Sequence, residues 1–155
     1  MGTEIERKFL VTDESWKSMA QPDYCCQGYL NPDPHRTVRV RIMAGCGWLT
    51  VKGATLDNTR PEFEYPVPVN EAQSMMKLCQ ASLIEKNRYS IRFREQTWEI
   101  DEFLGENAGL LIAEIELQSP DQIIEKPPWL GAEVSDDPRY FNSQLAQNPF
   151  RRWHH

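Results

Sequence analysis

The chain has 155 residues, 40% hydrophobic and 26% charged, with 17 Lys and Arg against 23 Asp and Glu and a formal net charge of −6. That length and balance fit one globular domain over residues 1–155, and argue against a general binder of nucleic acid or of anionic membranes. No apolar run approaches a membrane span, no basic-then-apolar leader opens the sequence, and Cys25, Cys26, Cys46 and Cys79 lack zinc spacing. The expectation is a cytoplasmic protein with reduced, mostly buried thiols, no membrane or nucleic-acid partner and an oligomeric state left open.

Met1–Val11 (MGTEIERKFLV) alternates as a strand, with Glu4, Glu6 and Lys8 on one face and Ile5, Arg7 and Phe9 on the other. Asp13–Gln21 is a short helix candidate, capped by Thr12 or Asp13 and ended by Pro22. Tyr24–Leu30 reads as a strand in which Gly28 marks a bulge or a close backbone approach, and Asn31–His35 as a turn. In Arg36–Met43, Thr37, Arg39 and Arg41 oppose Val38, Val40 and Ile42. A turn at Gly45–Gly47 leads into Trp48–Lys52, where Thr50 and Lys52 oppose Leu49 and Val51. Gly53–Pro61 reads as a polar loop, and Glu62–Tyr65 sets Glu62 and Glu64 against Phe63 and Tyr65.

Val69–Ser82 is the strongest helix signal, with Asn70 as its cap and Ala72, Met75, Met76, Cys79 and Leu83 as an apolar stripe. Three more alternating runs follow. Ile84–Arg94 gathers Lys86, Arg88, Ser90, Arg92 and Arg94 on one face; Thr97–Phe103 gathers Glu99 and Asp101; Leu110–Leu117 gathers Glu114 and Glu116. Ser119–Lys126 is expected to be a short helix with Pro120 in its first turn, Pro127–Gly131 a rigid loop, and Val134–Asn148 a final helix capped by Ser135. His154–His155 are set aside, being either native or a tag remnant.

A solvated sheet face is ordinarily a mixture of polar types. Here the polar face is almost purely charged on strand after strand: acids paired at i, i+2 (Glu4/Glu6, Glu62/Glu64, Glu99/Asp101, Glu114/Glu116) and bases likewise (Arg39/Arg41, Lys86/Arg88, Arg92/Arg94). With the apolar faces covered from outside by helices, the charged faces line the inside of a closed sheet. The expected class is α+β: an eight-stranded antiparallel β-barrel with a charged interior and short helices packed outside. An interior with so many charges cannot be dry, and is hydrated, cross-paired and fitted to a charged ligand. Arg and Lys recognise phosphate oxygens, and carboxylates without His or Cys select hard cations. Together they point to a metal-bound polyphosphate, held without a P-loop, since no G-x-x-x-x-G-K-[ST] run occurs.

The ordered set EIERK (Glu4–Lys8), RVR (Arg39–Arg41), TVK (Thr50–Lys52), RPEFEY (Arg60–Tyr65), EKNRY (Glu85–Tyr89), WEIDEF (Trp98–Phe103), AEIEL (Ala113–Leu117) and the C-terminal PPWLGAEVSDDPRYFNSQLA (Pro127–Ala146) resembles the CYTH superfamily, the triphosphate tunnel metalloenzymes, over nearly the whole chain. The resemblance implies a small-molecule triphosphate substrate and a Mg²⁺ or Mn²⁺ cofactor. It implies phosphate binding by Lys8, Arg39, Arg41, Lys52, Lys86 and Arg88. It implies metal binding by Glu4, Glu6 and one or both of Glu114 and Glu116, with Lys8, Glu4 and Glu6 at the catalytic centre. Glu62, Glu64, Glu99 and Asp101 either complete a second metal or water site or orient the bases. Tyr29 is either at the tunnel mouth or a core tyrosine, and Arg92 and Arg94 either meet substrate or pair with tunnel acids. The leading expectation is hydrolysis of inorganic triphosphate to pyrophosphate and phosphate. The alternatives are a class IV adenylate cyclase, a thiamine triphosphatase and a non-catalytic polyphosphate sensor.

Overall fold

The computed structural model describes residues 2–79 and 81–153; His154–His155 and, within the expected long helix, Gln80 lie outside them. Nine strands form one antiparallel sheet: β1 (Gly2–Val11), β2 (Asp23–Asn31), β3 (Arg36–Met43), β4 (Cys46–Gly53), β5 (Thr59–Val67), β6 (Ile84–Phe93), β7 (Gln96–Phe103), β8 (Leu111–Glu116) and β9 (Leu130–Glu133). Among the described residues two α-helices accompany them, α1 (Val69–Met76) and α2 (Asn142–Gln147). The strand order β5-β4-β3-β2-β6-β7-β8-β1 is closed by pairing of β1 with β5. The expected eight-stranded barrel is therefore present, with β9 added at the far end of β1.

β1 is the closing strand. Its first half, Gly2–Ile5, pairs with β5, its second half, Glu6–Leu10, pairs with β8, and Phe9–Val11 takes β9 as a further neighbour. Closure leaves no long free edge, and it turns one face of every strand into lumen.

The outer faces are covered as the alternation requires. Phe9, Trp16, Tyr89, Ile91, Trp98, Ile100, Ala113, Ile115, Leu117 and Trp129 form one buried cluster on the outside of β1, β6, β7 and β8. Trp98 sits between Phe9 and Trp129 in edge-to-face contacts of 5.7 and 5.8 Å. α1 packs on the outside of β2, β3 and β4. Gly28 is the close approach expected of it, because a Cβ there would lie 2.7 Å from Cys79 Sγ and 2.8 Å from Leu83 Cδ2.

The inner face changes character along the barrel. Following the same side of each strand, Lys86 gives way to Ile84, Asp101 to Phe103 and Glu114 to Ile112. These apolar residues pack with Leu110 and with Leu145 and Ala146 of α2. One end of the barrel interior is thus a small hydrophobic core, and the charged lumen occupies the rest.

Several local expectations are corrected. The helix read over Val69–Ser82 ends at Met76 and starts after Pro68, whose carbonyl accepts from Ala72 N; Asn70 lies inside the first turn. After Met76 the N–H groups of Lys77, Leu78 and Cys79 bond three residues back, which tightens and stops the helix. The first helix candidate is one 3₁₀ turn, Ser15–Met19, that buries Trp16. The β3–β4 turn is Ala44–Gly45, both at positive φ, as a two-residue hairpin demands; Gly47 belongs to β4. β5 begins at Thr59, inside the supposed polar loop.

Ser119–Lys126 is not helical. One turn closes from Gln122 N to Ser119 O, after which the chain has no regular structure and binds Gln96 through Ile123 O and Glu125 N. Part of the Pro127–Gly131 loop, and residues beyond it, form β9. Val134–Asn148 is not one helix: Pro138–Tyr140 make a 3₁₀ turn and α2 starts only at Asn142. Ser135 caps neither, because its hydroxyl accepts from Lys8 N and binds Glu133, strapping this segment to β1. All four cysteines are free, but against the expectation of mostly buried thiols only Cys25 is buried; Cys26 and Cys79 are half-buried and Cys46 is exposed.

Candidate active site

The lumen is a cavity of about 210 Å³. Its walls follow from register. On the β1–β8 side Glu6 faces Glu116 and Lys8 faces Glu114 across the ladder, and Glu99 of β7 faces Glu114. On the other side Arg39 pairs with Tyr29 and Thr50, Arg41 with Gln27, Lys52 with Glu62 and Thr50 with Glu64. Of the site residues expected from the sequence, all but Asp101, Arg92 and Arg94 line this cavity.

The acidic wall carries more negative charge than it neutralises. Lys52 Nζ lies 2.5 Å from Glu4 Oε2 and 3.5 Å from Glu62 Oε2. Glu4 Oε1 is buried without a hydrogen-bond partner among the described residues. Lys8 Nζ sits 3.3 Å from Glu114 and 3.7 Å from Glu6. Burial opposes ionisation of Glu114, but Lys8, Arg88 and Lys86 outweigh it and hold the carboxyl well below the usual range. Burial and then the charge of Glu114 push Glu6 up to about 8. Burial and the charge of Glu4 raise Glu62 and Glu116 as well. Lys8 is held above the ordinary lysine range, since Glu114, Glu6 and Glu4 overcome its burial.

The cationic wall has the complementary surplus. Arg39 reaches Glu64 at 3.4 Å and Thr50 Oγ1 at 3.2 Å, but its Nε is buried and has no partner among the described residues. Arg41 has no carboxylate partner among the described residues; its Nε donates to Gln27 Oε1 at 2.9 Å. Burial, then the charges of Arg39 and Arg88, lower its affinity for its proton. A cation desolvated beside other cations is the signature of an anion site.

Asp101 lies beneath the wall. It is fully buried, accepts a two-pronged bond from Arg88 at 2.8 and 2.9 Å, and meets Lys86 Nζ at 2.9 Å. Burial nevertheless pushes the Lys86 ammonium down to about 8, Asp101 only partly opposing it. Tyr29 is buried and at the same time lines the lumen. Arg92 and Arg94 do not line it: Arg92 is exposed, and Arg94, at the β6–β7 turn with φ 47°, reaches Glu125 outside the barrel.

Sequence patterning missed part of the lining. Thr37 shares a face with Arg39 and Arg41, so alternation places it inside, but it bears no charge; Gln27 and Thr50 are fully buried behind the lining. Arg60, which does not itself line the lumen, faces Glu4 across β1–β5 and donates to the lining residue Thr37 and to Gly53 O. Phe141, Asn142 and Ser143 come from the start of α2, and no periodicity links them to the barrel.

Among the described residues no three His, Cys, Asp or Glu side chains converge as a ready-made metal cage. The donor set still fits a hard divalent cation. Mg²⁺ characteristically takes one or two carboxylates and fills its other positions with water and substrate phosphates. The unpartnered Glu4 Oε1 and the raised Glu6 mark where positive charge is missing.

Fold and lumen together define the class: a closed antiparallel β-tunnel whose interior sets a carboxylate wall against a cationic one. Residues 2–143 match the CYTH domain model, and the chain belongs to that family. It is 48% identical over 154 residues to a protein of Acetivibrio thermocellus named inorganic triphosphatase, covering 99% of both chains. It is 36% identical to a protein of that name from Nitrosomonas europaea, covering 93% of this chain and 97% of the relative. A crystal structure described as an inorganic triphosphatase superposes with a TM-score of 0.64 at 32% identity, covering 92% of this chain and 96% of that one.

Proposed function

We propose that this chain is a divalent-metal-dependent triphosphatase that hydrolyses inorganic triphosphate to pyrophosphate and phosphate, working as one domain over residues 1–155. The observation that carries the reading is the pairing of two surpluses in one lumen: Arg39 and Arg41 incompletely neutralised on one wall, Glu4 and Glu6 on the other. A metal triphosphate supplies the missing charge to both.

Lys8, Arg39, Arg41, Lys52, Lys86 and Arg88 bind phosphate oxygens. Glu4, Glu6, Glu114 and Glu116 hold the metal, with Glu62 and Glu64 as the neighbouring carboxylates for a second ion or an ordered water. A bound Mg²⁺ or Mn²⁺ supplies charge neutralisation at the phosphate oxygens and orders water beside them. The cationic wall aligns the chain of phosphates so that water attacks the terminal phosphorus in line with the bridging oxygen. A carboxylate of the acidic wall takes the water proton. The bond from the terminal phosphorus to the bridging oxygen breaks, and the bases stabilise the charge on departing pyrophosphate. Lys8, set between Glu6 and Glu114, brings an ammonium to the acidic wall where that phosphoryl group lies. Asp101 acts from below by fixing Lys86 and Arg88 rather than as a metal ligand.

Lumen size supports a compact substrate. Pockets for drug-sized ligands occupy about 300–1,000 Å³, and this one about 210 Å³. Its four described free cysteines support a reducing, cytoplasmic setting, and no helix among the described residues is long and apolar enough to cross a membrane.

The test is to incubate the protein with inorganic triphosphate and separately with ATP, with Mg²⁺, Mn²⁺ or chelator, and to score phosphate, pyrophosphate and cyclic AMP. The expected result is metal-dependent phosphate release from triphosphate with little from ATP. Cyclic AMP with pyrophosphate from ATP makes the protein a cyclase, and metal-dependent binding without turnover makes it a sensor.

A further inference from the structure

Gln27 is a neutral residue packed behind the cationic wall, against Arg41. It is completely buried on β2. Its carbonyl oxygen accepts from Arg41 Nε at 2.9 Å and from Cys25 Sγ at 3.5 Å. Its amide nitrogen donates to Tyr29 Oη at 2.8 Å and to Asn142 Oδ1 at 3.4 Å. A side-chain amide has two lone pairs and two N–H groups, so all four capacities are used. The orientation is fixed chemically: Arg41 Nε–H can only donate, so the carbonyl must face it and the NH₂ must face Tyr29.

Two consequences reach the lumen. Arg41 is tethered through Nε, the inner nitrogen of its fork, which leaves its terminal amino groups to the cavity that it lines. Tyr29 accepts from Gln27, so its own proton is free to be donated to an oxygen in the cavity. The same amide chain continues through Asn142, whose Oδ1 accepts from Lys86 Nζ at 2.8 Å. A carboxylate at position 27 would hold Arg41 but neutralise it, and an apolar side chain would release it. An amide holds it and keeps its charge.

We propose that Gln27 is a positioning residue for phosphate binding, which fixes the Arg41 guanidinium and sets the donor direction of the Tyr29 hydroxyl. This rests on the triphosphatase reading above, but its test separates the two. Gln27→Leu, Arg41→Ala and the double variant are compared for kcat and KM on inorganic triphosphate, with thermal melting of each.

If Gln27 acts through Arg41, Gln27→Leu lowers kcat/KM about tenfold in the parent, mainly through KM, and changes it less than about threefold when Arg41 is already alanine. Equal losses in both backgrounds, or no loss in the parent, overturn the proposal. Gln27→Glu guards against a folding failure of the leucine variant. It keeps the Arg41 bond and adds a negative charge, so KM rises several-fold while kcat changes less; an unchanged KM also overturns the proposal. Should the parent protein not hydrolyse triphosphate, the function reading fails, and the same cycle is read on triphosphate affinity by calorimetry.

Discussion

Arg88 and Asp101 face each other on neighbouring strands as a two-pronged pair, Nε to Oδ1 at 2.8 Å and Nη2 to Oδ2 at 2.9 Å, with the carboxylate fully buried. Lys86 adds a third contact. One carboxylate thus holds two lumen cations on β6 at once, and it does so without reaching the cavity.

Removing it exposes that dependence. Asp101→Ala leaves two buried cations short of a counter-charge and is expected to cost about 3–5 kcal/mol in denaturant unfolding. Asp101→Asn, which keeps the shape, costs less. The pH dependence has a definite sign. Arg88 and Lys86 depress Asp101 to about 2 against its burial, below an unfolded value of 3.8. Its contribution is present above the unfolded value and is lost as pH falls through about 2. An acid-unfolding midpoint that does not rise in Asp101→Asn would contradict this.

Lys8→Ala and Glu6→Ala are each expected to lower kcat on triphosphate by about 10²–10³-fold with the barrel intact. For Glu6→Ala the metal-free melting temperature should hold or rise, because the residue sits among like charges that burial intensifies. Wild-type-like turnover in either variant would remove the residue from the catalytic centre.

Glu6 also sets a pH signature for the metal. Its folded-state value of about 8 lies above the ordinary carboxyl value of 4.5, so the folded protein binds the extra proton between those limits. Metal-free stability contributed by this group is therefore full below about 4.5 and declines as pH rises toward 8. Mg²⁺ or Mn²⁺ competes with that proton. The increase in melting temperature on adding metal should grow across this range, and calorimetry in buffers of different ionisation enthalpy should detect proton release on binding. A metal effect that is flat with pH would count against Glu6 as a ligand.

The β6–β7 turn is built from Arg94 and Glu95, both at positive φ, 47° and 67°, where side chains are strained. Glu95→Gly is expected to stabilise the protein by about 1 kcal/mol, read as a higher urea midpoint, with unchanged activity since the turn lies outside the lumen. A lower midpoint would mean that Glu95 makes a contact worth more than its strain.

Alternation made the barrel and most of the lumen legible, because a period of two tells which side chains share a face and a closed sheet turns one face inward. Glu4, Lys8, Arg39 and Glu114 could be placed inside on that ground alone. The rule falters where tertiary contacts decide. Arg92 lies on the correct face but too far along β6 to remain in the lumen. Asp101 is inside yet belongs to its neighbours. β9 is four residues long, and its pairing with β1 bridges well over a hundred residues, which no local pattern reports. Gln27 carries no charge, so its importance becomes visible only through the four groups around it.

β1 pairs with β5, β8 and β9. β1 therefore waits for β8, more than a hundred residues further along the chain, before it has both neighbours. Loop closure over such separations is slow, and barrels dominated by distant pairings fold in about milliseconds to seconds. A chain cut short before β8 keeps Glu4, Glu6 and Lys8 but has no Glu114 or Glu116 to face them. Closure of the barrel and completion of the carboxylate wall are thus one late event, and a truncated chain has neither.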